Sequence, residues 1–424
     1  MFVKTKKSLA RFGIFIAIAG TFSIANASYE NTRPRSALEH WKDRSLCRLT
    51  PETPSFEACV QSQMATATFR SFELIPASNR RRKDVAVVMF HGLASTPYSM
   101  AHLGFEIAKR HNLQVFGMTL SGHGEGFQNP NVLPGTDTSA LGYVTMEYWI
   151  NDLRSAFSLA GQQGIKKIIF IGHSTGAMLS KLAAIDQDLQ DRTAGVILLS
   201  PPENKANLLS VSGLTDRVKK NGLWKSLWEG QNAAKMCDTV FISDRSLPQE
   251  WIKERPDFYA DFDPNKFMNF KDLDGLQLRF LWTSALKALK NPSLMEYRAP
   301  NVNGVCHLNR LMELIQQRTS KVPTIVPITL IIANNDNLIN APLALESLRK
   351  QTRSFRHKII HDAGHAGYLL SPRVYEDRKI KSPVVNPQVW FEGDGPDFGN
   401  LRRSQKAFDQ AVEEIDKSLE VMLK

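Results

Sequence analysis

The sequence has 424 residues, 42% hydrophobic and 22% charged, a balance that excludes disordered and collagen-like classes and provides enough chain for a full core. Its formal net charge of +11 falls to +7 without the four cations of its first stretch. The remaining basic residues are scattered apart from Arg80-Arg81-Arg82-Lys83, which reads as a solvated loop. No nucleic-acid motif accompanies them, so a nucleic-acid partner is not expected.

In chain order, Lys4, Lys6, Lys7 and Arg11 precede an apolar run, Phe12 to Ile24, that ends in Ala25-Asn26-Ala27. A basic stretch, an apolar stretch and small residues at a cleavage site predict a signal peptide over 1–27, cut after Ala27, and a periplasmic or secreted protein. A membrane anchor is the competing reading, but the run is shorter than the roughly 20 apolar residues that span a bilayer. Residues 28–83 read as an N-terminal extension with the first strand or strands, the part to residue 68 being polar and without clear periodicity.

Cys47, Cys59, Cys237 and Cys306 are the four cysteines. In an oxidising compartment they can pair in three ways. Pairing Cys47 with Cys59 and Cys237 with Cys306 keeps each bridge within one segment and is favoured. No Cys or Cys/His spacing suggests a metal, and no cofactor is expected.

The first core segment, 84–203, opens with Val85 to Phe90. This run, and later Ile168 to Ile171, Val196 to Leu199 and Ile328 to Ile332, is apolar at nearly every position and rich in β-branched residues, as strands covered on both faces are. Helix-like stretches, Ser99 to Arg110 and Met146 to Gln163, alternate with them, which predicts a doubly wound α/β core. After the first strand comes His91-Gly92-Leu93. The glycine lets the backbone approach a substrate, and the Leu93 N–H can donate to a developing oxyanion, although an ordinary strand-ending turn would contain the same dipeptide.

Ile168 to Ile171 runs into Gly172-His173-Ser174-Thr175-Gly176 and then a helix-compatible stretch. This Gly-x-Ser-x-Gly between strand and helix exposes a serine on a sharp turn. The following helix start offers backbone N–H groups, Thr175 among them, and a positive dipole end to negative charge. A serine needs a base, and the base an acid to hold its tautomer. Both follow in order.

From 204 to 322 the alternation stops, and a long, polar, helix-like stretch with interspersed aromatics reads as an inserted cap. Trp224 and Trp228 share a helix face there, more in the manner of buried core than of a ligand surface, with a role in lining an acyl site as the alternative. The second core segment, 323–424, begins with the Ile328 to Ile332 strand, which leads to Asp336. Another strand, Phe355 to Ile360, leads to Asp362-Ala363-Gly364-His365-Ala366-Gly367. Asp336 has the competing role of a helix cap. His365 competes with His361, His357 and His307, but its flanking glycines let a loop carry the ring to the serine. Asp362, so near on the same loop, is the less suitable acid. Phe408, Val412, Ile415, Leu419 and Met422 lie on one face of a C-terminal helix.

Together His91-Gly92-Leu93, Ser121-Gly122-His123-Gly124, Gly172-His173-Ser174-Thr175-Gly176, Asp336 and His365 resemble the α/β-hydrolase superfamily. Gly92, Ser99-Met100 and Gly122-His123-Gly124 are similar to segments of bacterial carboxylesterases and monoacylglycerol-lipase-like enzymes with a helical cap. The resemblance covers 84–200 and 323–370, and departs at Thr175, where many such enzymes carry Met. Because the donor there is backbone, the departure leaves the chemistry intact.

The resemblance implies a mostly parallel doubly wound sheet with an inserted helical cap, and ester cleavage by Ser174, His365 and Asp336 with Leu93 and Thr175 holding the oxyanion. The partner is then a small-molecule or lipid ester, with transient contact to a membrane surface left open. An acyltransferase, a serine peptidase and a non-catalytic ligand-binding relative are the alternatives.

Overall fold

The computed structural model describes residues 34–61, 70–77, 82–93, 95–124, 144–203, 302–319, 324–333, 336, 341–361, 363–376 and 401–424. The leader, Trp224, Trp228, Cys237, Asp362 and most of the stretch read as a cap lie outside the described residues.

The elements follow in order as α1 (Ala37–Lys42), β1 (Ser45–Arg48), α2 (Phe56–Cys59), β2 (Phe72–Ile75) and β3 (Val85–Phe90). A 3₁₀ turn over Pro97–Met100 leads into α3 (Ala101–His111), followed by β4 (Gln114–Met118), α4 (Met146–Gln162), β5 (Lys167–His173), α5 (Thr175–Ile185), α6 (Gln187–Gln190) and β6 (Thr193–Leu199). The remainder comprises α7 (Val302–Thr319), β7 (Ile328–Ala333), α8 (Ala341–Gln351), β8 (Phe355–Ile360), α9 (Arg373–Glu376) and α10 (Leu401–Met422).

The strands form one eight-stranded sheet in the order β1-β2-β4-β3-β5-β6-β7-β8. The β2–β4 pair is antiparallel and every other pair is parallel. This is the α/β-hydrolase fold expected from the sequence.

Strand side chains alternate between faces, so a strand covered on both sides must be apolar throughout. In β3, Ala86, Val88 and Phe90 join one hydrophobic cluster while Val85, Val87 and Met89 join the other. The first cluster receives α1, α4, α5, α7 and α8, and the second receives α3 and α10. Leu308, Leu311, Met312 and Ile315 of α7 pack into the first cluster, so the last part of the stretch read as a cap is a helix flanking the sheet. Phe408, Val412, Ile415 and Leu419 of α10 fill the second, each fully buried side chain contributing about 1.5–3 kcal/mol.

The extension supplies what periodicity did not reveal. A capping box of Ser36 and Glu39 starts α1, and β1 extends the sheet by pairing with β2. Cys47 of β1 and Cys59 of α2 are joined by a disulfide, Cα to Cα 5.6 Å, as the favoured pairing predicted. The other predicted bridge involves Cys237 and falls outside the described residues.

Candidate active site

The centre of the site is the turn between β5 and α5. Ser174 sits there with φ 51° and ψ −115°, a left-handed conformation that a non-glycine residue adopts only when its surroundings enforce it. Two glycines provide the enforcement. A Cβ on Gly172 would overlap the carbonyl oxygen of Gly176, and one on Gly176 would overlap that of Phe90 at the end of β3. The Gly176 N–H donates to the His91 carbonyl at 3.1 Å. Strand β3, strand β5 and helix α5 thus meet backbone to backbone, with the serine at the top of the junction.

Gly92 closes the other side. A Cβ there would lie 3.2 Å from Cβ of Ser174, so the Gly92–Leu93 peptide runs beside the nucleophile candidate. Its orientation is fixed by His91, whose Nδ1–H donates to the Gly92 carbonyl at 2.8 Å while Nε2 accepts from the Leu120 N–H at 3.1 Å. In a planar trans peptide the N–H points opposite to the C=O, so anchoring the Gly92 oxygen aims the Leu93 N–H away from that anchor. The next carbonyl, that of Leu93, accepts from Nε2 of His123 at 2.5 Å. Burial, the largest influence on both rings, holds His91 well below the usual imidazole range and His123 down to about 4, so both are neutral donors. Thr175 opens α5, where a helix leaves its first N–H groups without internal partners.

His123 belongs to a turn held by Asp152 of α4. Asp152 Oδ2 accepts from the Ser121 N–H at 2.7 Å, and Oδ1 accepts from the Ser121 hydroxyl and the Ala37 N–H at 2.8 Å each. Complete burial raises its pKa to about 7 against the pull of those donors. Sequence reasoning passed over Asp152. The signal was a carboxylate on the same helical face as Trp149, Leu153 and Ala156, where an unpartnered charge would be costly.

Asp336 and His365 lie together as expected. Nδ1 of His365 donates to Oδ2 of Asp336 at 2.9 Å, and the Asp336 side chain is fully buried. The loop carrying His365 is tied to the serine turn by His173, whose Nε2–H donates to the His365 carbonyl at 3.0 Å. The two rings lie 4.7 Å apart. Burial, then the neighbouring His365, lowers the His173 pKa to about 3, which keeps it neutral in that role. Farther along the loop, the Tyr368 hydroxyl bonds with the Ser200 hydroxyl at 2.9 Å. The structure therefore brings Leu93, Ser174, Thr175, Asp336 and His365 to the C-terminal ends of β3, β5 and β7 and the loop after β8. His307 lies apart on α7, buried, and His361 lies in the turn directly after β8.

The family model for serine aminopeptidase S33, Hydrolase_4, matches residues 81–368. The chain belongs to this α/β-hydrolase family. A curated relative, "Putative esterase/lipase 2" of Mycoplasma pneumoniae, is 21% identical over 314 residues, 74% of this chain and 94% of the relative. Among solved structures, a metagenome-derived lipolytic enzyme aligns with TM-score 0.43 and 15% identity over 70% of this chain and 93% of its own. A monoacylglycerol lipase of Paleococcus ferrophilus aligns with TM-score 0.39 and 14% identity over 70% and 90%. A thermophilic esterase of Thermogutta terrifontis aligns with TM-score 0.37 and 19% identity over 71% and 92%.

Among the described residues, no group of three or more His, Cys, Asp or Glu is placed to hold a metal ion.

Proposed function

We propose that this family member is an exported serine hydrolase that cleaves carboxylic esters through an acyl-enzyme. The observation that carries the reading is the Asp336–His365 hydrogen bond at 2.9 Å, on a loop whose backbone is tethered to the residue next to Ser174.

Nε2 of His365 takes the Ser174 proton as Oγ attacks the ester carbonyl. The N–H groups of Leu93 and Thr175 hold the oxyanion, and collapse expels the alcohol with a proton from His365. His365 then removes a proton from water, which attacks the acyl-enzyme, and the acid leaves as Ser174 regains its proton. Asp336 stays ionised and holds Nδ1–H of His365, which fixes the tautomer. No step calls for a cofactor.

Export rests on the leader pattern and gains support from the Cys47–Cys59 bridge, since disulfides persist in oxidising compartments. Among the described residues, no helix is long and apolar enough to cross a membrane. A medium or long acyl ester, such as a monoacylglycerol or a lysolipid, is the substrate class suggested by the aromatics of 204–322 and by the esterase/lipase name of the curated relative.

A second reading, aminopeptidase, is favoured by the description of the matching family. Assay on p-nitrophenyl esters of increasing chain length, beside aminoacyl p-nitroanilides, separates the two. We expect kcat/KM to rise from acetyl to octanoyl esters and to exceed that for the anilides. A sharp acetyl preference removes the long-acyl class, and faster anilide cleavage installs the peptidase.

A further inference from the structure

The stapled N-terminal segment reaches the loop of His365 through a chain of buried polar groups. Glu57 lies in α2 inside the loop closed by Cys47 and Cys59, and it is 0% exposed. Its Oε1 accepts from the Tyr98 hydroxyl and from Nε2–H of His102, which is 3% exposed. Nδ1 of the same imidazole accepts from the Ser371 N–H at 2.8 Å. Ser371 closes the stretch that carries His365 and Tyr368. Its hydroxyl donates to Oε1 of Gln405 on α10 at 2.9 Å, an oxygen that also accepts from the Arg373 N–H at 3.1 Å.

This is an expensive arrangement for mere support. Burial works against a charge on Glu57, and the hydrogen bonds from His102 and Tyr98 work in its favour. Its other oxygen, Oε2, has no partner among the described residues. Buried carboxylate pairs rarely stabilise more than apolar packing of the same volume, so a role in fixing geometry explains its presence better than stability does. The His102 ring is a directional link. With Nδ1 accepting from a peptide N–H, only Nε2 carries a proton, and that proton must face Glu57. Glu57, both cysteines, Ser371 and Gln405 lie outside the family match at 81–368, whereas Tyr98 and His102 lie within it, so the link joins the segments that flank the match through its interior.

We propose that Glu57 is a positioning residue: acting through His102 and Ser371, it sets the place of the loop that carries His365, and the Cys47–Cys59 bridge holds Glu57 in register. The inference rests on the reading of His365 as the base. The loop then has three anchors: the His173 bond at the His365 carbonyl, the Tyr368–Ser200 bond in its middle, and the Ser371–His102 bond at its far end. Removing the last leaves the fold but loosens the imidazole.

The test compares wild type with Glu57→Gln, His102→Gln and the double variant Cys47→Ser/Cys59→Ser. Glu57→Gln is isosteric, whereas His102→Gln keeps a donor for Glu57 and takes the acceptor away from the Nδ1 position that faces the Ser371 N–H. Active-site titration with a fluorophosphonate gives the competent fraction, and kcat is expressed per titrated site. We expect each variant to lose about tenfold in kcat with KM within about twofold, the pattern of a misplaced catalytic group. A merely structural role lowers the titrated fraction and leaves kcat per site unchanged, which overturns the proposal.

A second readout needs no turnover. The downfield proton resonance of His365 Nδ1–H, assigned by its loss in His365→Ala, should shift or broaden in all three variants. An unchanged resonance in folded Glu57→Gln contradicts the proposal. If wild type takes no probe, the catalytic reading fails, and the resonance still decides whether Glu57 positions this loop.

Discussion

At the scale of single residues, the site is a set of backbone positions held by neutral histidines. His91 and His123 fix two successive carbonyls beside Ser174, and His173 fixes the carbonyl of His365. Each ring is buried, so burial keeps it uncharged and each donor or acceptor role is settled by geometry. Replacing His91 by Phe puts a somewhat larger ring in its place, leaves the Gly92 carbonyl only the Ser95 N–H at 3.2 Å, and strands the Leu120 N–H. We expect kcat to fall about 10²-fold with KM little changed, because oxyanion donors act chiefly in the transition state. Asp336→Asn should cost more, about 10⁴-fold in kcat, since an amide facing Nδ1 favours the wrong tautomer of His365. Steady-state kinetics on a p-nitrophenyl ester checks both, and a loss smaller than about tenfold for Asp336→Asn would remove Asp336 from the triad.

At the scale of elements, the turn between β5 and α5 carries the precision. Gly172 and Gly176 are there because backbone occupies the space their side chains would need. Gly176→Ala should therefore destabilise the fold by about 1–3 kcal/mol, the cost of overpacking, or more since the obstacle is main chain. Denaturant unfolding measures it, and a neutral result would mean that α5 can retreat from β3.

The same turn was the most legible feature of the sequence, since a short apolar run, two glycines and a helix former leave few alternatives. Strands β3, β5, β6 and β7 were legible for a related reason: burial on both faces makes them almost continuously apolar, whereas β8, partly exposed along its length, carries Arg356, His357 and Lys358. The elements of 34–61 were not. They are short, α1 beginning with a capping box and α2 being a single turn, and β1 gains its place from pairing with β2 and from the disulfide, neither of which leaves a periodicity. Asp336 and His365 were legible as residues at strand ends in the right order, but the histidines and carboxylates that hold them were not, because a hydrogen bond to a distant carbonyl has no signature in spacing.

At the scale of the whole molecule, buried titratable groups set the response to acid. His40, His173 and His307 are lowered to about 3, His123 to about 4, and His91 well below its ordinary value, in each case chiefly by burial. Between about pH 6.5 and 4 the unfolded chain protonates these five histidines while the folded one does not. Their contribution to stability is thus complete above pH 6.5 and is lost as pH falls. Asp152, raised to about 7 by burial, works the other way: the folded state keeps its proton between about pH 4 and 7, so its contribution is present at low pH and is lost as pH rises through 7. The histidines outnumber it. Unfolding near pH 5 should therefore take up about four protons from these groups, and Tm should fall steadily from pH 7 to pH 5. A Tm that is flat or rising over that range would mean the histidines are charged in the folded protein.

All of the proposed chemistry depends on Ser174 being the atom that is acylated. The most direct measurement is mass spectrometry of peptides from the folded protein after reaction with a fluorophosphonate. We expect one adduct per chain on the peptide containing Ser174, absent in Ser174→Ala and slowed by loss of His365. An unlabelled folded protein, or an adduct on another residue that persists in Ser174→Ala, would contradict it.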